Sequence, residues 1–285
     1  MRVLNREDMS VPAAVRTELP TIARAVDRIV DAFRRGGRLF YVGAGTSGRL
    51  GALDAAECPP TFGISSRMVQ SVIAGGSRAL VHSVEGAEDS TSNGARDLKA
   101  RKLTSRDIVV GIAASGTTPY VLGALRYART VGAFTIGLTA DPKSPVSRAA
   151  RIAISPRTGP EAIVGSTRMK AGTAHKLVLN MLSTASMVRL GYVYDNWMVN
   201  VAQSNEKLRR RALRILQQAA GLDASSAEHV LRQAEHDLRV AIIAAKTGLN
   251  VQQAKRTLER ANGNVRSAIF EASRSRFGNR VGLGK

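Results

Sequence analysis

Cysteine is almost absent: Cys58 is the one cysteine in 285 residues. No intrachain disulfide can form, which fits a reducing compartment and a cytoplasmic protein. Aromatic residues make up only 4% of the chain. Its core must therefore be built mostly from Ala, Val, Leu and Ile. No apolar run approaches the roughly 20 residues of a membrane span, and the amino terminus lacks a signal-peptide pattern. Acidic residues are outnumbered, 22 against 42 basic ones, leaving a net charge of +20. Such a charge suits a nucleic acid or an anionic surface. Yet there is neither zinc-finger spacing nor an aromatic RNA-binding signature. We read the charge as a solvated, Arg-rich surface that loosely favours an anionic small molecule, and expect no nucleic-acid or membrane partner.

What is present is glycine in one telling place. Leu39–Val42 is an apolar run that suits a buried strand, followed by Gly43-Ala44-Gly45-Thr46-Ser47-Gly48. Glycines here give a tight turn and let a ligand approach the backbone. Gly48–Glu57 then reads as a helix that stops at Pro59-Pro60. Its first turn would offer free N–H groups beside the Thr46 and Ser47 hydroxyls, an anion site best suited to a phosphate. Glu57 would sit at the carboxyl end of the helix, where the dipole favours a protonated carboxyl and so a general acid. The same glycines fit G-x-G-x-x-G. A dinucleotide site also needs an acidic residue after the next strand, and Met68–Ala74 runs into Gly75-Gly76 without one. The dinucleotide reading is therefore set aside in favour of a phosphate monoester.

The 44% hydrophobic content over this length supports one large domain and a small one. Val11–Arg35 has the spacing of one long amphipathic helix, with Pro20 as a kink point. Strands are predicted at Leu39–Val42, Met68–Ala74, Asp107–Ala113, Phe134–Thr139 and Ala150–Ile154. Helices between them are predicted at Ala79–Val84, Thr91–Ala100 and Tyr120–Val131. Alternation of this kind implies an α/β fold, a doubly wound parallel five-stranded sheet. Ligands in such folds bind at the carboxyl ends of the strands. Ala114–Pro119 holds a second hydroxyl-rich turn there, with Ser115 and Thr118.

Beyond the sheet, Gly165-Ser166-Thr167 leads with Arg168 and Lys170 into a long helix toward Leu190. Cations at a helix start oppose its dipole, so these are read as ligand or partner contacts. His175 on that helix is expected at a polar surface or interface. Leu177, Leu179, Met181 and Leu182 form a candidate dimer face. Tyr194 and Trp197 read as core or dimer contacts. Glu206–Ala220 is a basic helix whose Lys207 and Arg209–Arg211 form a solvated face. Ala227–Lys246, Val251–Ala261 and Val265–Ser273 make a three-helix module over 223–273, after a main domain over 1–222. The tail 274–285 is expected to be disordered.

Four stretches carry a family resemblance: Tyr41–Gly63, Ser83–Asp89, Gly111–Tyr127 and Gly159–Leu190. The chain resembles the sugar isomerase (SIS) domain superfamily and, within it, the family of N-acetylmuramic acid 6-phosphate etherases. The last stretch is similar to a signature shared with glucokinase regulatory proteins. The resemblance covers roughly residues 5–222, and the final helices are similar to a ubiquitin-associated-like (UBA-like) fold. The family pattern carries a further amino-terminal segment than this sequence shows.

The resemblance implies cleavage of a D-lactyl ether from an amino-sugar phosphate, in cell-wall recycling, by a lyase that works as a homodimer and needs no metal or redox cofactor. It maps the proton donor to Glu57 and the second carboxylate to Glu88, with Glu85 as the alternative to Glu88. The chemistry suits two carboxylates in different protonation states. The C2 proton of an open-chain sugar is acidified by its aldehyde, and the departing ether oxygen must be protonated. Sugar-phosphate isomerases read Ser-x-Ser-Gly-x-Thr at the second turn. Here Ala113 replaces the first serine. That leaves Thr46, Ser47, Ser115 and Thr118 as phosphate candidates, with Ser166, Thr167 and Lys170 behind them. A sugar-phosphate-binding regulator and an aldose–ketose isomerase are the competing readings. His82 is read as incidental and Cys58 as a packing residue.

Overall fold

The computed structural model describes residues 1–200 and 206–281, the side chains of 275–281 excepted. Contacts divide the chain into two units: Met1–Pro59 with Ser65–Ser186, and Pro60–Ile64 with the chain from Met187 onward.

The first unit opens with α1 (Arg2–Asp8), α2 (Val11–Arg16) and α3 (Leu19–Arg34). Then follow β1 (Leu39–Gly43), α4 (Gly45–Phe62), β2 (Val69–Ile73), α5 (Thr91–Ala100), β3 (Ile108–Ile112), α6 (Pro119–Val131), β4 (Phe134–Leu138), α7 (Pro145–Ala149), β5 (Ile152–Ile154) and α8 (Lys170–Arg189). The strands form one five-stranded sheet in the order β2-β1-β3-β4-β5. Every pairing is parallel. This is the doubly wound sheet the alternation implied, with β1 and β3 buried along their whole length. Phe40, Val42 and Val109 pack on one face with Leu98, Tyr120 and Leu125. Successive strand residues alternate faces, and Tyr41 and Ile112 meet Gly51 of α4 on the other.

At the amino ends of the central strands, Arg38 holds the buried Asp107. Its backbone N–H and Nε donate to Oδ1 at 2.8 and 3.2 Å, and Nη2 donates to Oδ2 at 2.7 Å. The Thr104 N–H adds a bond at 2.8 Å. Burial alone would raise the Asp107 carboxyl; these donors bring it below the ordinary value.

Four local expectations are corrected. The amino-terminal helix is two, broken at Thr17-Glu18 just ahead of Pro20, which takes a first-turn position in α3 where its missing N–H costs nothing. The helix after the glycine turn begins at Gly45 and passes through Pro59-Pro60 to Phe62. Each proline lacks the N–H that would bond four residues back, but the helix runs only two residues past them. In place of a helix over 79–84 there is a single 3₁₀ turn, Ser77–Leu80. The fourth concerns the carboxyl-terminal helices.

In the second unit a hairpin, β6 (Val193–Tyr194) and β7 (Trp197–Met198), precedes α9 (Glu206–Ala220), α10 (Ala224–Gln233), α11 (Leu238–Thr247), α12 (Val251–Arg260) and α13 (Val265–Val281). The expected helix over 227–246 is therefore two. Glu235 and His236 adopt positive φ, and the Asp237 carboxylate accepts from the Arg239 and Val240 N–H groups to start α11 afresh. One core joins Tyr194, Ala212, Ile215, Leu216, Leu231, Ile242, Leu258 and Val265, with Trp197 against it. Lys207 and Arg209–Arg211 are exposed, as a solvated face should be. α13 continues as helix through the start of the expected tail to Val281; residues 282–285 lie outside the described residues.

Candidate functional site

Both hydroxyl-rich turns stand at the carboxyl ends of neighbouring strands β1 and β3, each feeding a helix. In the first, the chain leaves β1 and enters α4 within two residues. A Cβ on Gly43 would lie 2.7 Å from the Gly48 nitrogen, so the turn needs glycine at that place. Thr46 and Ser47 are half-buried there. In the second, Gly116 has φ +69° and any Cβ on it would collide with Ser144. Ser115 is exposed and its Oγ lies 3.0 Å from Thr117 Oγ1. Thr118 is the N-cap residue of α6, but its side chain makes no capping bond.

The loop carrying Glu85 and Glu88 is tied to both helices. Arg49, on the first turn of α4 past Gly48, donates through Nε to the carbonyls of Ala79 and Leu80 at 3.0 and 3.1 Å, and through Nη2 to that of His82 at 3.1 Å. Farther along, the Tyr120 N–H of α6 donates to the Glu88 carbonyl at 2.9 Å. Both glutamates are exposed. Residue Arg49 was not among the expected site residues. The carbonyls it holds belong to a segment whose turn the sequence did not define.

The Glu57 side chain is exposed on α4, beside Ala56 and near Leu53. Five helical residues follow it, so it is not the last of its helix. Twelve residues of α-helix separate it from Gly45, about 18 Å of rise.

The start of α8 comes to the first turn: a Cβ on Gly172 would lie 3.7 Å from Thr46 Cγ2. Ser166 is half-buried and Thr167 exposed. Lys170 is buried, and its ammonium donates to Glu7 of α1 at 2.7 Å. That bond holds the Glu7 carboxyl below its usual range. The Glu161 carboxylate accepts from the Lys170 and Ala171 N–H groups at 2.9 and 3.0 Å, which caps α8. So the cation at this helix start has a partner within the chain.

His175 is corrected from surface to core: it is 1% exposed, and neither ring nitrogen has a hydrogen-bond partner among the described residues. Burial pulls it down to about 4. Cys58 is 2% exposed, as a packing residue should be, and burial, with the nearby Asp54, pushes its thiol up to about 12. Sequence reasoning passed over Asp54, whose carboxylate accepts from Tyr41 Oη at 2.9 Å and Ser183 Oγ at 3.0 Å.

A cavity of about 660 Å³ lies beside the end of β2, lined by Ser71, Gly75, Ser77, Asn93, Arg96 and Tyr120 among others. None of the expected site residues lines it. Among the described residues, no group of three or more His, Cys, Asp or Glu is placed to hold a metal ion. No described helix is long and apolar enough to cross a membrane.

Comparison with known proteins agrees with the architecture. A model of the glucokinase regulatory protein N-terminal SIS domain matches residues 21–129, and an SIS domain model matches residues 87–185. A phosphosugar isomerase fold from Bacteroides fragilis superposes with a TM-score of 0.52 at 20% identity, over 68% of this chain and 92% of that one. In sequence, the chain is 54% identical to the N-acetylmuramic acid 6-phosphate etherase of Vibrio atlanticus, covering 93% of this chain and 87% of the relative. It is 55% identical to that of Brucella anthropi, over 94% and 88%. The chain belongs to the N-acetylmuramic acid 6-phosphate etherase family.

Proposed function

We propose that the protein is a cytoplasmic carbon–oxygen lyase that cleaves the D-lactyl ether of N-acetylmuramic acid 6-phosphate, giving N-acetylglucosamine 6-phosphate and D-lactate. The observation that carries this reading is the pair of hydroxyl-rich turns on adjacent strands, with the Glu88 loop bonded to the helix behind each. An alkoxide is a poor leaving group, so the lactyl oxygen departs only if it is protonated. A base takes the C2 proton of the open-chain sugar, the electron pair forms the C2–C3 double bond, and an acid delivers a proton to the departing oxygen. Water then adds at C3 of the unsaturated aldehyde and a proton returns to C2. The sum is one water consumed and two hydroxyl-bearing products.

In this reading Ser115 and Thr118, with Thr46 and Ser47, hold the phosphate, supported by Ser166 and Thr167. Lys170 joins them where Glu7 releases it. Glu88 is the base and Glu57 the acid. Phosphorus and C3 of the substrate are five bonds apart, roughly 7 Å at full stretch. A Glu57 about 18 Å along its own helix from the first turn is poorly placed for a phosphate held there. A second copy of the chain supplies it instead, so the active species is a homodimer whose pockets each combine Glu88 of one copy with Glu57 of the other.

Incubation with N-acetylmuramic acid 6-phosphate in deuterated water tests the reaction. D-lactate should appear in step with N-acetylglucosamine 6-phosphate that carries deuterium at C2. An isomerase would release no lactate, and a regulator would bind without turnover.

A further inference from the structure

As far as Cys58 the inner face of α4 is made of Gly48, Gly51, Ala55 and Cys58, all buried. Small residues let the helix lie close on the sheet: a Cβ on Gly51 would sit 2.8 Å from Tyr41 Cβ. Between Gly48 and Cys58 they also leave no bulky buried side chain to lock the helix against rotation or sliding; Phe62 is buried only at its far end. Polar bonds do that here. Asp54 offers one carboxylate oxygen to Tyr41 Oη of β1 at 2.9 Å and the other to Ser183 Oγ of α8 at 3.0 Å. With its amide turned to suit, Asn180 donates to the second oxygen at 3.3 Å and accepts from Lys176 Nζ at 2.8 Å. Two oxygens held from two different elements fix both the rotation and the height of α4.

We propose that Asp54 is a positioning residue for Glu57, pinning α4 to β1 and α8 one turn ahead of that side chain. Residues three apart on a helix share a face, so the register fixed at Asp54 is passed directly to Glu57. The inference rests on the reading of Glu57 as the acid. Fold stability does not explain the carboxylate. Burial raises its pKa despite the donors around it, so ionisation at neutral pH costs stability rather than adding to it.

Steady-state kinetics on the full-length chain test this with D54A, D54N, Y41F, E57Q and the D54A/E57Q double variant. D54A should lower kcat about tenfold or more while KM stays within about twofold, the mark of lost alignment rather than lost binding. Asn can still accept from Ser183 and donate to Tyr41, so D54N should recover most of the rate with no loss of thermal stability. Added to E57Q, D54A should change kcat by less than about twofold, because a residue acting through Glu57 has nothing left to position. A D54A kcat near wild type, or effects of D54A and E57Q that multiply, overturns the proposal. If D54A does not fold, Y41F decides: kcat about threefold lower at unchanged KM supports the proposal, and unchanged kcat contradicts it. A near-normal E57Q overturns the reading of Glu57 itself; a crippled E57Q beside an unaffected D54A overturns this inference alone.

Discussion

The backbone N–H of Tyr120 donates to the carbonyl of Glu88 at 2.9 Å. One backbone hydrogen bond thus sets the glutamate loop against the helix that follows the second hydroxyl-rich turn. Arg49 sets the earlier part of the same loop against the helix that follows the first.

Arg49 should therefore matter to turnover though it carries no chemistry in the proposed reaction. Its guanidinium reaches three carbonyls at once, a fork that a lysine ammonium cannot reproduce. R49A and R49K should each lower kcat/KM for the etherase reaction by about tenfold or more. Thermal unfolding of both should stay near wild type, since the bonds lie in a mostly exposed loop.

Removing Arg38 should do the reverse. R38A takes away most of the charged donors to Asp107 at the amino ends of the strands, leaving a buried carboxylate short of partners, which costs about 3 kcal/mol. Urea unfolding at neutral pH should show that loss, while kcat of the folded fraction is unchanged. The Asp107 carboxyl is held below its ordinary value in the fold. Its contribution is therefore complete above the unfolded pKa and fades as pH falls through that value toward the folded one. The R38A penalty should shrink in the same direction.

His175 predicts a second pH dependence. It is pulled down to about 4 in the fold from an ordinary 6.5. The unfolded chain binds the proton more readily, so stability is complete above about 6.5 and declines as pH falls toward 4. The full difference is on the order of 3 kcal/mol. H175L should flatten the loss of stability between pH 6.5 and 4, measured by urea midpoints; an unchanged slope would contradict the burial account.

Much of the architecture was legible. Phe40, Tyr41 and Val42 form a run too apolar for anything but a buried strand, and the glycines after it announce the turn into α4. Boundaries were harder. Pro59-Pro60 reads as a stop, and the helix does end two residues past it, at Phe62. Asp195-Asn196 between Tyr194 and Trp197 is a turn signal that would have disclosed β6 and β7. The candidate site was legible only where its residues are neighbours in sequence. Tyr41 and Ser183, which hold Asp54, lie 13 and 129 residues away. Glu7, which occupies Lys170, lies 163 residues away. No local spacing discloses such pairs, because they exist only once the sheet has brought the helices together.

The most direct test of the account is D-lactate release by E57Q and E88Q, each alone and then co-expressed and purified as mixed dimers. Each variant alone should lose nearly all activity. Random pairing makes half the dimers mixed, each with one intact pocket of two, so about a quarter of wild-type activity should return. Near-normal release by either variant alone, or no recovery in the mixed dimers, would contradict a pocket built from Glu88 of one copy and Glu57 of the other.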